Sequence, residues 1–451
     1  MNTRAIICVI SLTYTLLSCD TTPDVPTVYR TNISWTAVSS TNQLVTESLS
    51  EEICPSGWTM LFSQLKESGE SASVSLQEQY VKRFRSLGKF SQAAKKAFSL
   101  IGEKIPTLRL SLSWPCFGNI TWRNNIVDTV QNLQEAGFVI ELTLSHHDSY
   151  PASLHKPGGS AQIARSGWAN PEAKNTYIAY VSDVIRLFKP ILPTGTRVYL
   201  INEPVAMLFN SYLGNGNWPP GGKRAIAGLY SAMINLRDAV HEGGKRIQEA
   251  QWEPAVAKNI RVKKEEDTLD PILDYVFNWW LLDALVNSCV DNFFSRECSE
   301  YYSQTIPFTV GITYYGTMQN KEEAVLIKPT PTLFLQMPLP EMDFSPSSRY
   351  FSRAIFNTAK RYKNSLITIA EIGLSSGDTQ KTKEWLLSYS KIVQENHAKN
   401  LEKNIGIHTL FESAEFSAGE WFFHILDGCD TNTPCVFTPW GNALVNHIDS
   451  L

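Results

Sequence analysis

The sequence predicts an α/β chain folded as a single-domain (β/α)8 barrel, or TIM barrel. Three observations carry this reading. From about residue 58 onward, short apolar runs alternate with longer amphipathic stretches, the pattern of a parallel sheet with crossover helices. The 451 residues fit one barrel with insertions. Two of the runs also end in a glutamate, at Glu203 in Arg197–Pro204 (RVYLINEP) and at Glu371 in Leu366–Gly373 (LITIAEIG). In such barrels the C-terminal ends of the strands form the catalytic face.

The chain opens with Arg4, an apolar run over Ala5–Leu17, and Ser18 before Cys19. This reads as a signal segment over residues 1–19, too short to span a bilayer. Its end, Leu16–Cys19 (LLSC), resembles the lipobox of bacterial lipoproteins, which implies export and a lipid anchor at Cys19. Residues 20–55 are rich in Thr, Ser and Val, with Pro23 and Pro26, and read as a tether. Residues 56–451 then form the barrel. Predicted strands are Trp58–Phe62, Thr107–Leu112, Val139–Leu144, Val198–Ile201, Phe308–Ile312, Leu366–Ala370 and Trp421–Leu426. The remaining strand falls somewhere in 246–262, a stretch too polar and irregular to place. Amphipathic stretches over Ile126–Ala136, Asn175–Phe188, Ile226–His241, Ile272–Val286 and Lys381–Asn396 supply crossover helices.

The formal net charge of −4 and the absence of dense Lys/Arg blocks give no footprint for nucleic acid. Twelve Trp, 17 Tyr and 21 Phe would serve as stacking surfaces for sugars, although most must fill the core. Of eight Cys, Cys8 leaves with the signal and Cys19 takes the lipid. The other six suit disulfides in an oxidising compartment, with Cys289–Cys298 and Cys429–Cys435 as the local pairs. No C-x-x-C pair argues for zinc.

The strand ends carry the chemistry. Arg109 is a charge inside an apolar run, and a buried arginine needs an anionic partner such as a catalytic carboxylate. His146-His147-Asp148 follows the third run; neighbours on an extended chain point to opposite sides, so hydrogen bonding to a ligand, or a satisfied structural histidine, fits better than a metal site. Two facing glutamates are the minimum apparatus for glycoside hydrolysis: one protonates the leaving oxygen and the other attacks the anomeric carbon or activates water. No metal or cofactor is needed. Proline after Glu203 biases that residue towards an extended conformation.

Seven colinear segments resemble family 1 glycoside hydrolases, the retaining β-glycosidases built on this barrel. Leu108–Pro115 (LRLSLSWP) resembles the family's YRFSISWP, and Leu142–Pro151 (LTLSHHDSYP) its VTLYHWDLP, with Gly167-Trp168 following. Ile201–Pro204 (INEP) matches LNEP, and Tyr212–Gly214 lies where the family has GYxxG. Trp279–Asp283 (WWLLD), Gly311–Tyr315 (GITYY) and Ile369–Gly373 (IAEIG) are similar to WFLDP, GINYY and ITENG. The resemblance implies Glu203 as acid/base and Glu371 as nucleophile, with Arg109 holding Glu371 charged and Tyr315 orienting it. It implies sugar contacts from Gln64 after the first strand, His146 and Asn202.

The departures are equally informative. His147, Thr313 and Ile372 replace the Trp of HWD, the Asn of GINYY and the Asn of TENG. Trp421–Asp430 (WFFHILDGCD) resembles YFVWSLLDNFE only loosely; on that alignment Phe423 stands for the sugar-stacking Trp, Asp430 for the hydroxyl-gripping Glu and Thr431 for the next Trp. The C-terminus at Leu451 implies that the family's last helix is missing and that the tether covers that side. The expected activity is hydrolysis of β-glycosides by double displacement. Two alternatives are an inactive carbohydrate-binding lipoprotein on the same barrel and a glycosidase of a related two-glutamate barrel family with different sugar specificity.

Overall fold

Eight parallel strands close into a ring in the computed structural model: β1 (Ser34–Ser40), β2 (Thr107–Ser111), β3 (Val139–Thr143), β4 (Arg197–Asn202), β5 (Glu253–Asn259), β6 (Thr309–Tyr314), β7 (Ile367–Ile372) and β8 (Leu401–His408). Each strand pairs with its neighbours in sequence, and β1 closes the ring against β8, with Ser34 opposite Asn404, and against β2, with Thr36 opposite Thr107. The structure describes residues 33–40, 54–67, 86–146, 150–262, 271–315, 317–319, 341–343, 347–373, 379–408, 414–415, 419–420, 425–429 and 433–450, except 157, 159, 215, 217 and 293. Cys19, His147, Asp148, Phe423, Asp430 and Thr431 lie outside them. Among the described residues no helix is long and apolar enough to cross a membrane.

The helices around the ring include α1 (Gly57–Glu67), α2 (Leu87–Ile101), α3 (Ile120–Ala136), α4 (Ala173–Phe188), α5 (Pro204–Leu213), α6 (Ile226–Glu249), α7 (Trp280–Val286), α8 (Ser348–Arg361), α9 (Thr379–Glu395) and α10 (Pro439–Ser450). Their ends are set by local chemistry. Asn119 caps α3 through its side chain, which accepts from the Trp122 amide at 2.9 Å, and Gly137 closes the helix in the left-handed conformation.

Four sequence expectations are corrected at the ends of the chain. Trp58–Phe62 is helix, not strand: Ser56 and Thr59 exchange side-chain-to-backbone hydrogen bonds at 2.9 and 3.3 Å, which nucleates α1. The first strand is β1, inside the stretch assigned as tether. There Trp35 and Ala37 are buried, and Thr36 donates to Asn404 at 3.2 Å. The last strand is β8 rather than Trp421–Leu426, whose described end, Leu426–Gly428, pairs antiparallel with Cys435–Phe437 outside the barrel. A final helix is also present: α10 packs its Trp440 towards Trp385 of α9 and its His447 edge-on to Trp35.

The strand between 246 and 262 is β5. Its polarity has partners at both ends: Glu253 accepts from Arg197 at 2.8 Å at the base, and Asn259 belongs to the mouth. At the base Arg197 also meets Glu141 at 3.3 Å and Glu402 at 2.9 Å. Above this charged layer, Tyr199, Ala255, Ala257 and Ala370 form a small buried cluster. Small residues are needed there, because a Cβ on Gly311 would come within 2.6 Å of the Ala370 Cβ. The interior is thus filled from the base up, and the polar strand ends are left at one face.

Both local pairs, Cys289–Cys298 and Cys429–Cys435, are disulfides. The remaining two cysteines form Cys54–Cys116, which ties the entry to α1 to the turn after β2.

Candidate active site

The site is built on bulges at two strand ends. β7 slips register against β6 between Ile369 and Glu371, and β4 against β5 between Tyr199 and Asn202. A bulge inserts a residue and re-aims the side chains beyond it. Here the residues re-aimed are Glu371, Asn202 and Glu203.

Glu371 is 4% exposed and held from two sides. Arg109 Nη2 donates to its Oε2 at 2.6 Å, and the Tyr315 hydroxyl donates to Oε1. Arg109 comes from β2, is 1% exposed, and also donates through Nη1 to the Ala370 carbonyl at 3.0 Å and through Nη2 to Asn202 Oδ1 at 3.1 Å. Its guanidinium lies 4.7 Å from the centre of the Tyr199 ring beneath it, a cation–π contact. The buried charge expected of Arg109 therefore has its anion, joined by a charge-assisted hydrogen bond.

Glu203 is surrounded differently. Its Oε1 accepts from Asn259 Nδ2 at 3.0 Å and from the Thr313 hydroxyl. Thr313 stands opposite Glu371 in the β6–β7 register, so both carboxylates reach the same mouth. The extended conformation expected before proline is not adopted: Glu203 has φ 44° and ψ 49°. Its amide donates to Ala257 of β5 at 2.8 Å while its carbonyl accepts from Met207, opening α5. Serving strand and helix at once requires the left-handed turn. Proline disfavours the right-handed alternative and sits well at the first helical position. A non-glycine residue held there is strained, as residues at functional sites often are.

Asn202 joins the two halves. It accepts from Arg109, and its Nδ2 lies 3.5 Å from His146 Nε2, whose Nδ1 is 3.1 Å from the Ser111 hydroxyl. Of the expected site residues, Arg109, His146, Asn202, Tyr315 and Glu371 are thus linked in one network, and Glu203, the residue after Asn202, is held beside it by Asn259 and Thr313. Gln64 is not part of that network. It lies on α1, well after the true first strand, and its amide meets His155 Nε2 at 3.0 Å. His155 in turn meets the Tyr150 hydroxyl, and burial pushes its imidazole down to about 4.

The sequence pattern gave no sign of Asn259 or Ser111, and marked Thr313 only as a departure from a motif. Asn259 was hidden with the unplaced strand. Two buried cations at the end of β5, whose charge Glu203 supports, were equally hidden. Burial pushes the Lys258 ammonium down to about 7; Arg261 adds to this effect and Glu203 opposes it. Lys258 Nζ donates to the Asn259 carbonyl at 2.6 Å. Arg261 is also pushed down by burial, with Glu203 opposing.

No family model matches the chain, and no curated protein sequence does. Solved structures do match along nearly its whole length. A family 1 β-glucosidase from Thermotoga maritima superposes with TM-score 0.69 at 17% identity, over 93% of this chain and 98% of that one. The fold is that of the family 1 β-glucosidases. A β-glycosidase from Pyrococcus horikoshii superposes with TM-score 0.67 at 16% identity, over 92% and 94% of the two chains. An aphid myrosinase does so with TM-score 0.68 at 12% identity, over 92% and 98%.

Proposed function

We propose that this chain is an exported, retaining β-glycoside hydrolase, divergent from family 1, with Glu371 as nucleophile and Glu203 as acid/base. The observation that carries the reading is the unequal setting of two buried glutamates at one barrel mouth. Glu371 is paired with an arginine and a tyrosine, whereas Glu203 takes neutral donors. Environments that differ in this way assign different roles to two carboxyl groups.

In the first step a Glu371 oxygen attacks the anomeric carbon as its bond to the leaving oxygen breaks, and Glu203 gives that oxygen its proton. In the second, Glu203 takes a proton from water, the hydroxyl bonds to the anomeric carbon and Glu371 leaves. Asn202 and His146 stand beside this point to bind sugar hydroxyls. The fold of the β-glucosidases and the seven colinear motifs support the same reading. Export is supported by three disulfides, which persist in oxidising compartments.

A panel of nitrophenyl β-glycosides tests the proposal. Turnover should release the β-anomer first and fall by about 10²-fold or more in Glu203→Gln; Glu371→Ala should abolish it. Release of the α-anomer first would sink the retaining mechanism. Sugar binding with no turnover of any glycoside, unaltered by Glu371→Ala, would replace the hydrolase with a binding protein.

A further inference from the structure

Asn259 and Thr313 stand opposite one another in the β5–β6 register. That pairing sets two donors from adjacent strands side by side, and both reach the same oxygen of Glu203. Asn259 Nδ2 donates to Oε1 at 3.0 Å, and the Thr313 hydroxyl donates to that oxygen as well. All three side chains are buried. The backbone that carries the donors is tied too: the Ile260 amide donates to the Thr313 carbonyl at 3.3 Å, and Lys258 Nζ donates to the Asn259 carbonyl at 2.6 Å.

A carboxylate oxygen offers two lone pairs, and an amide nitrogen can only donate. Two donors therefore fill Oε1. A proton placed there would have to displace one of them, and a buried donor left without its acceptor keeps its full desolvation cost. Nor can the carboxyl group turn over and exchange its oxygens without breaking both hydrogen bonds.

We propose that Thr313, together with Asn259, is a positioning residue that confines the acid proton of Glu203 to Oε2 and so directs it at the leaving oxygen of the glycoside. This rests on the acid/base role of Glu203. In the first step the Oε2–H bond breaks as the proton bonds to the leaving oxygen, and the electron pair stays on the carboxylate. The negative charge that spreads to Oε1 meets donors already in place, with no reorganisation needed. In the second step the same Oε2 takes a proton from water.

The test compares two β-glycosides of one sugar: a dinitrophenyl glycoside, whose leaving group departs without a proton, and a phenyl glycoside, whose leaving group needs one. Thr313→Val keeps the shape of the side chain and removes its hydroxyl. Its kcat/KM should fall about 10-fold or more further for the phenyl than for the dinitrophenyl glycoside, because a positioned acid contributes about 10²–10⁴-fold where a proton is needed. Thr313→Ser should recover most of that difference, and Asn259→Leu should show it as Thr313→Val does. Equal losses on the two glycosides, or no loss on either, would leave Thr313 a structural role alone and overturn the proposal. A Glu203→Gln chain that loses equally on both would instead remove the acid/base assignment on which the proposal stands. Neutron diffraction from crystals of the wild-type chain needs neither variants nor turnover. As the pD is lowered, the deuteron that appears on Glu203 should lie on Oε2, and one on Oε1 would overturn the proposal. Should no glycoside be turned over, the hydrolase reading falls separately, and the neutron result still decides where the proton is held.

Discussion

Glu141, at the base of the barrel, shows how far one side chain's setting shifts its chemistry. Burial outweighs the attraction of Arg197 and Arg109 and raises its carboxyl from 4.5 to about 7. The folded chain therefore keeps that proton up to about pH 7, while the unfolded chain loses it near 4.5. Between those values the native state binds more protons, so stability falls as pH rises and levels off above about 7. Glu141→Gln removes this loss and still offers an oxygen to Arg197. Urea unfolding should show no gain for the variant below pH 4 and a gain on the order of 3 kcal/mol at pH 8, at about 1.4 kcal/mol per tenfold change in proton affinity. A difference independent of pH would rule this account out. At the mouth, the places of Arg109, Glu203 and Glu371 were legible because a charge in an apolar run must find a buried counter-charge, and an acid at a barrel strand end faces the mouth; the roles proposed for them came from the family resemblance. Asn259 carried no such signal; its importance comes from Glu203, a residue more than fifty positions earlier in the chain.

Among the elements, β8 decides where Glu371 points. The bulge in β7 also breaks the β7–β8 register, between Ile369 and Ile372, and the partner strand offers Gly406 there. A Cβ on Gly406 would lie 2.0 Å from the Ala370 carbonyl oxygen and 2.6 Å from its carbon. Both atoms are backbone, so β7 itself must move. Gly406→Ala is expected to destabilise the fold by about 1–3 kcal/mol and to lower turnover as well, since Glu371 is the next residue after the displaced carbonyl. Gly118→Ala is the control, because a Cβ there meets nothing within 4 Å. Thermal melts and kcat on the same glycoside should separate the two, and equal behaviour would remove the bulge from the argument. β8 was illegible for a physical reason: Glu402, Lys403 and Asn404 look like loop residues, yet Arg197, the end of α9 and Thr36 satisfy them. β1 was hidden by its Ser and Thr content, which a barrel strand tolerates when its neighbours supply partners.

For the molecule as a whole, the disulfides close loops of very different length. Cys54 and Cys116 are 62 residues apart, against 9 and 6 for the other two pairs. The chain-entropy argument gives about 4 kcal/mol for the long loop and about 2–3 kcal/mol for the short ones. Replacing Cys54 and Cys116 together by alanine should therefore lower the denaturation midpoint more than replacing Cys429 and Cys435; the reverse order would point to native-state packing as the larger effect. The long bridge also fixes the start of α1 beside the strand that carries Arg109. The asparagine and the tyrosine came with the family resemblance; by itself the sequence determined the barrel class, marked the two glutamates and the buried arginine, and offered the two short disulfides as the local pairings. These are local signals: periodicity, a residue type out of place, a short spacing. Only the tertiary structure decided which segments close the ring, which bulges aim the carboxylates, and which side chains hold Glu203. Those depend on contacts between residues far apart in the chain, where a polar side chain reads as loop until its buried partner is in view.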